Sequence, residues 1–129
     1  MKRLVAIISI LAFVLCLVAC GKEYSQDKYD EIASYVKENK GKIAVNSELQ
    51  HYYYEVETSG FTSVQYGYYY SKNNEIVSCD QGGMGLTNSY TKKDDGYYFG
   101  TVEDESDWSY VRKIENCWYY FEVHDYLYN

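Results

Sequence analysis

Proline is absent from this 129-residue chain, and histidine and basic side chains are scarce. Without proline the chain cannot form the stiff, proline-rich stalk that some proteins use as a spacer. The two histidines, His51 and His124, leave few combinations for histidine-based chemistry. Twelve basic and nineteen acidic side chains give a formal net charge of −7. This balance argues against nucleic acid as a partner, because binding it requires a basic surface.

Aliphatic residues are also few. From position 20 onward, Leu, Ile, Val and Phe make up 18 of 110 residues, which is below the roughly 20% under which a charged chain is expected to be disordered. The aromatic content reverses that expectation, since all 18 tyrosines and both tryptophans lie in this region. Each aromatic side chain can bury about 150–250 Å². We therefore expect a folded domain with an aromatic and valine-rich core and many half-buried tyrosine rings.

The N-terminus has the layout of an export signal. Lys2 and Arg3 precede an apolar stretch over 4–18 that only Ser9 interrupts. A stretch of about 15 residues fits the apolar part of a secretory signal and is short for a membrane span, which needs about 20. An uncleaved N-terminal membrane anchor is the alternative.

The apolar stretch ends in Leu17-Val18-Ala19-Cys20, which resembles the lipobox of bacterial lipoproteins. The resemblance covers about the first 20 residues. It implies that residues 1–19 are a cleaved signal peptide and that Cys20 becomes the diacylglyceryl-modified first residue. Two acyl chains give a stable membrane anchor, so the resemblance implies a lipid-anchored protein on the extracytoplasmic face of the cell membrane. The rest of the chain then divides into a lipidated tether over 20–24 and one small domain over 25–129.

Two cysteines remain for the domain once Cys16 leaves with the signal peptide and Cys20 is lipidated. Cys79 and Cys117 would lie outside the cytoplasm, where a pair of cysteines predicts a disulfide. The alternative is two buried free thiols that act as small apolar residues.

One helix is predicted over 26–39. Ser25 can cap its N-terminus, and an apolar stripe at helical spacing follows, formed by Tyr29, Ile32, Ala33 and Val36. Gly41 is expected to end the helix in a left-handed conformation.

The remainder predicts strands separated by short turns. The predicted strands cover 52–57, 61–70, 75–79, 97–102, 108–114 and 117–125. A helix that begins at Ser47 is the alternative for the first of them. The glycine-rich segment 81–88 is predicted as a loop, with brief pairing of 86–91 as the alternative. The fold class is α+β, with one amphipathic helix packed on an antiparallel meander of about five to seven strands.

Alternation along the last strand predicts two different faces. The face that begins with Cys117 and Tyr119 is expected to be core, whereas the opposite face is expected to be aromatic, partly polar and exposed. Trp118 and Tyr120 on that outer face form a predicted binding surface for sugar rings or a partner protein, because aromatic residues are enriched at interfaces. Burial of these rings beneath the helix is the alternative.

Two sets of residues are candidates for a catalytic site and for a metal site. A nucleophilic cysteine needs a base within about 3 Å, and Cys117 and His124 point to opposite faces of one strand. Cys79 with either histidine stays open as an alternative but has no supporting motif. His51, Glu55 and Glu57 share a strand parity, yet positions four apart in a strand are about 13 Å apart, too far for one metal ion.

Two further segments have weaker signals. The acidic run over 103–107 lacks the alternation and the glycine of a calcium-binding loop, and a solvated turn explains it. The run Gly82-Gly83-Met84-Gly85 lacks the lysine of a phosphate-binding loop. We therefore expect no metal and no cofactor.

The sequence as a whole favours a non-enzymatic, lipid-anchored module of the bacterial envelope that binds a protein. The alternatives are a module that binds cell-wall glycan through an aromatic sheet face and a small extracytoplasmic enzyme. The expected partners are the membrane, through Cys20, and an unidentified protein or cell-wall component.

Overall fold

The structure is a computed structural model that describes residues 23–80, 83–86, 90–100 and 107–126. The predicted signal peptide and Cys20 lie outside the described residues. So do the acidic residues at 103–105 and Gly82.

The first element is a helix, α1, at Gln26–Asn39, where the sequence predicts it. The Ser25 side chain accepts a hydrogen bond from the Lys28 backbone N–H at 3.2 Å, which satisfies one free donor of the first turn. The predicted stripe faces inward, since Ile32, Ala33 and Val36 are buried. The predicted left-handed stop at Gly41 is wrong: Lys40 closes the helix in a right-handed conformation, with φ −53° and ψ −33°.

Within the described residues, eight strands follow α1. They are β1 (Leu49–Ser59), β2 (Thr62–Ser71), β3 (Val77–Asp80), β4 (Gly83–Leu86), β5 (Tyr90–Lys93), β6 (Gly96–Phe99), β7 (Trp108–Glu115) and β8 (Trp118–Tyr126). Six of them form an antiparallel sheet in the order β1-β2-β8-β7-β6-β5, and β3 and β4 form a separate two-stranded ribbon. The predicted α+β fold, with one helix on an antiparallel sheet, is confirmed.

Two features of the sheet differ from the predicted meander. β8 lies beside β2 as well as β7, so the last strand of the chain is a central strand. The glycine-rich segment predicted as a loop contains β4, in which Gly83 pairs with Asp80 and Leu86 pairs with Val77. Both differences come from pairing between strands, which the composition of a single segment does not reveal.

The sheet has a core cluster on each face. The helix face is the side that α1 covers, and the ribbon face is the side that carries the β3–β4 ribbon. The buried helix-face cluster consists of Ile32, Val36, Tyr66, Tyr68, Tyr110, Trp118 and Tyr120. The buried ribbon-face cluster consists of Tyr69, Val77, Cys79, Phe99, Val111, Tyr119, Phe121 and Val123. The predicted aromatic and valine-rich core is confirmed.

Buried tyrosines on the ribbon face find polar partners in the segment between β2 and β3. The Tyr69 hydroxyl donates to the Glu75 carbonyl at 2.9 Å, and the Tyr119 hydroxyl donates to the Asn74 carbonyl at 3.1 Å. These bonds offset the cost of removing hydroxyl groups from water.

Gly67 lies where β1, β2 and β8 pack closely together. A Cβ atom at this position would lie 2.5 Å from the Phe121 ring and 2.2 Å from the Tyr52 carbonyl oxygen. We expect Gly67→Ala to lower the free energy of unfolding by roughly 1–3 kcal/mol, the usual cost of overpacking, measured by urea denaturation. Gly41→Ala is the matched control, because nothing lies within 4 Å of its added methyl group. Equal stability of the two variants would contradict this packing.

Candidate interaction surface

The aromatic residues predicted to form a binding surface are buried. Trp118 is 6% exposed and Tyr120 is fully buried. The alternation predicted for the last strand is correct from Tyr119 onward, because Tyr119, Phe121 and Val123 pack on the ribbon face; the placement of Cys117 on that face is wrong, because Cys117 borders the helix-face cluster. The other face is not exposed, because β8 is central and α1 packs over it; the Tyr29 ring meets the Tyr120 ring edge-on at 5.4 Å. The prediction of a binding surface at Trp118 and Tyr120 is therefore wrong.

A fully buried carboxylate, Glu122, lies on the same face of β8. Its Oε2 atom accepts a hydrogen bond from the Ser25 backbone N–H at 2.9 Å and another from the Tyr120 hydroxyl. Its Oε1 atom lies 2.8 Å from Nε2 of His124. The carboxylate thus joins the N-terminus of α1 to the central strand.

The groups around Glu122 are themselves held in place. Burial, with the neighbouring Glu122 carboxylate, raises the pKa of Tyr120 well above its ordinary value, so its hydroxyl stays protonated and donates. The imidazole of His124 stacks on the Trp108 indole, with ring centroids 3.7 Å apart and an interplanar angle of 8°. The Glu122 carboxylate thus contacts Ser25, Tyr120 and His124 among the described residues.

The segment that precedes α1 is fixed to the sheet. The Tyr24 ring stacks on Tyr110, with centroids 4.3 Å apart. Arg112 donates to the Tyr24 hydroxyl at 3.1 Å and to Gln26 Oε1 at 3.2 Å, and its guanidinium carbon lies 3.8 Å from the Tyr29 ring centroid. The part of the predicted tether that the structure describes is thus docked against β7.

A cavity of about 150 Å³ opens on the ribbon side, beside the start of β7 and the end of β8. Cys79, Asp107 and Asp125 are among its lining residues, and His124 also borders it. The Cys79 side chain packs in the ribbon-face cluster. The His124 ring contacts Glu122 and Trp108 on the other face. The side chains of Cys79 and His124 therefore pack on opposite faces of the sheet.

The two remaining cysteines are not bonded to each other and lie in different surroundings. Cys79 is buried in the ribbon-face cluster, whereas Cys117 lies in the β7–β8 turn, has a φ of +69° and borders the helix-face cluster. The Cys117 backbone N–H donates to Asn74 Oδ1 at 2.7 Å. The structure does not contain the predicted disulfide.

A bulge in β1 changes which side chains share a face. The pairing with β2 shifts between Tyr53 and Glu55. His51 contacts the Phe121 ring on the ribbon face, whereas Glu55 contacts Lys28 of α1 on the helix face and Glu57 lies 3.8 Å from the Lys28 ammonium. The expectation that His51, Glu55 and Glu57 share one face is therefore wrong, since a bulge adds one residue to the alternation.

Exposed apolar side chains concentrate at the β1 edge of the sheet. Tyr53 and Val56 are 50% and 54% exposed, Phe61 in the β1–β2 turn is 61% exposed, and Tyr54 is 37% exposed. We call these four residues the β1 strip. Half-buried tyrosines are suited to recognition, because the ring offers apolar area and the hydroxyl remains available to water or a partner. No single sequence motif marks this strip, which depends on β1 being an edge strand.

Comparison with protein-family models, curated proteins and solved structures gives no match to this chain. Within the described residues, no helix combines the length and apolar character needed to cross a membrane.

Proposed function

We propose that this protein is a lipid-anchored, extracytoplasmic envelope lipoprotein whose domain is a non-enzymatic module that binds a protein through the β1 strip. The observation that carries the binding proposal is the concentration of exposed apolar side chains at one sheet edge. Exposed apolar side chains grouped in one region of a surface are typical of interaction sites.

The lipobox sequence supports the anchoring part of the proposal. Tyr24 is stacked on Tyr110, so the chain between Cys20 and the domain is short. Four residues span at most about 14 Å when fully extended. Lipid attachment at Cys20 would therefore hold the domain close to the membrane surface.

The environment of Glu122 supports a non-enzymatic role. A buried carboxylate beside a histidine is a feature that can indicate general acid–base catalysis. Here both oxygens of the carboxylate contact groups of the domain itself, namely Ser25, Tyr120 and His124. This arrangement favours a role in stabilising the fold. The exposed rings of the β1 strip also fit the alternative function, stacking on cell-wall glycan, because Tyr53 is half exposed.

Replacement of Cys20 tests the anchor. In a bacterial host fed an alkyne-bearing fatty acid, we expect the full chain to be labelled and to fractionate with the membrane. Cys20→Ser should lose the label, because the diacylglyceryl thioether cannot form. Cys79→Ser is the control and should retain the label. Labelled Cys20→Ser protein would contradict lipidation at this residue.

A photo-crosslinking amino acid at Tyr53 tests the binding surface in the intact envelope. We expect it to give a discrete crosslinked species, because the ring at this position is exposed on the β1 strip. The same amino acid at Ser34, which is exposed on α1, should not do so. The species should be protein of defined mass, and the purified chain should not sediment with isolated sacculi.

Two results would decide against protein binding at the strip. Equal crosslinking from positions 53 and 34, or none from either, would contradict the surface. Co-sedimentation with sacculi that Tyr53→Ala abolishes would favour the glycan-binding alternative instead.

A further inference from the structure

The two outer edges of the six-stranded sheet have opposite charge. Beyond its bulge, β1 runs from Glu55 to Ser59 and presents Glu55 and Glu57 toward the helix face. At the other edge, β5 is a four-residue strand, Tyr90–Lys93, and all four of its side chains are exposed. Among the strands that the structure describes, each edge strand has one neighbour, so its outer backbone N–H and C=O groups have no described strand to pair with.

The carboxylates at the β1 edge outnumber the cations that balance them. The Lys28 ammonium contacts Glu55 and lies 3.4 Å from Glu31 and 3.8 Å from Glu57. One ammonium therefore serves three carboxylates. At the β5 edge, neither Lys92 nor Lys93 forms an ion pair within the part of the chain that the structure describes.

The apolar and charged side chains of the two edges also match on each face of the sheet. Val56 lies between Glu55 and Glu57, so alternation directs it toward the ribbon face, where it is 54% exposed. Tyr90 lies on that same face, since its ring packs against Tyr97 and Phe99 of the ribbon-face region. Lys93, three positions on, is directed toward the helix face. Each edge thus carries an apolar residue on the ribbon face and a charge on the helix face, with opposite signs.

The strand directions allow these edges to meet. All five pairings in the sheet are antiparallel, so the six strands alternate in direction and β1 runs opposite to β5. A second copy placed beside the first without being turned over would therefore add its β5 antiparallel to β1. The helix face of one copy would continue into the helix face of the next.

We propose that the occupant of the β1 edge is a second copy of this chain, whose β5 pairs with the Glu55–Ser59 segment. In an antiparallel pairing that sets Lys93 of one copy opposite Glu55 of the other, Glu57 lies diagonal to Lys93 on the helix face and Val56 lies diagonal to Tyr90 on the ribbon face. The contact is head-to-tail, so each copy retains one free β1 edge and one free β5 edge, and chains of copies can grow. This inference rests on the proposed protein-binding function and names the partner.

A charge-swap experiment on the detergent-solubilised full chain tests the pairing, with native mass spectrometry to count copies. The original chain should give dimers and larger species. Glu57→Lys and Lys93→Glu should each lower the dimer fraction by roughly tenfold, because reversal places like charges across the interface. An equimolar mixture of the two variants should regain association, because the unaltered β1 edge of Lys93→Glu meets the unaltered β5 edge of Glu57→Lys, and the two altered edges also carry opposite charges. Glu38→Lys, on the exposed side of α1, is the control and should associate like the original chain.

The mixture keeps the test valid if one substitution perturbs folding. Recovery of dimers requires both variants to be folded, and Lys93→Glu alone changes only the exposed β5 edge. A monomeric original chain, or folded variants that fail to associate when mixed, would overturn the self-pairing. If the crosslink from Tyr53 then joins a different protein, the proposed function stands and only the identity of the partner is wrong. If that crosslink is also absent, both proposals fail.

Discussion

The bond between the buried Glu122 carboxylate and the N-terminus of α1 is the interaction on which the arrangement of this domain depends. It connects Ser25, where the helix begins, to the central strand of the sheet. An anion near a helix N-terminus is favoured by the free N–H groups and the helix dipole. With α1 held there, Ile32 and Val36 pack against the aromatic helix face, and the burial of Trp118 and Tyr120 follows.

The position of α1 also decides which aromatic residues remain available for recognition. The helix and the β3–β4 ribbon bury aromatic residues on the two faces of the central strands. The exposed apolar side chains of the sheet itself lie toward its edges, including Tyr53 and Val56 on β1 and Tyr90 on β5. The proposed surface for partners is thus an edge of the sheet, where backbone groups and apolar side chains are both accessible.

Local structure could be predicted from the sequence, whereas the exposed surface could not. The stripe from Tyr29 to Val36 predicts α1 because helical spacing is local, and alternation predicts the two faces of β8. Which face is exposed depends on β8 lying between β2 and β7, a long-range pairing with no local signal. The bulge after Tyr53 is equally non-local, and it separates His51 from Glu55. The exposed edge could therefore be identified only from the fold.

The central claim is that Glu122 fixes α1 to the sheet, and Glu122→Gln tests it most directly. The amide keeps the shape of the side chain but replaces one acceptor oxygen with a donor NH₂ group. Depending on its orientation, this group faces either Ser25 and Tyr120 together or His124. We predict a loss of about 2 kcal/mol in the free energy of unfolding, as expected for hydrogen bonds to a buried charged group. Hydrogen exchange of α1 amides should accelerate in parallel. Unchanged stability and exchange, equal to those of Glu38→Gln, would contradict the account.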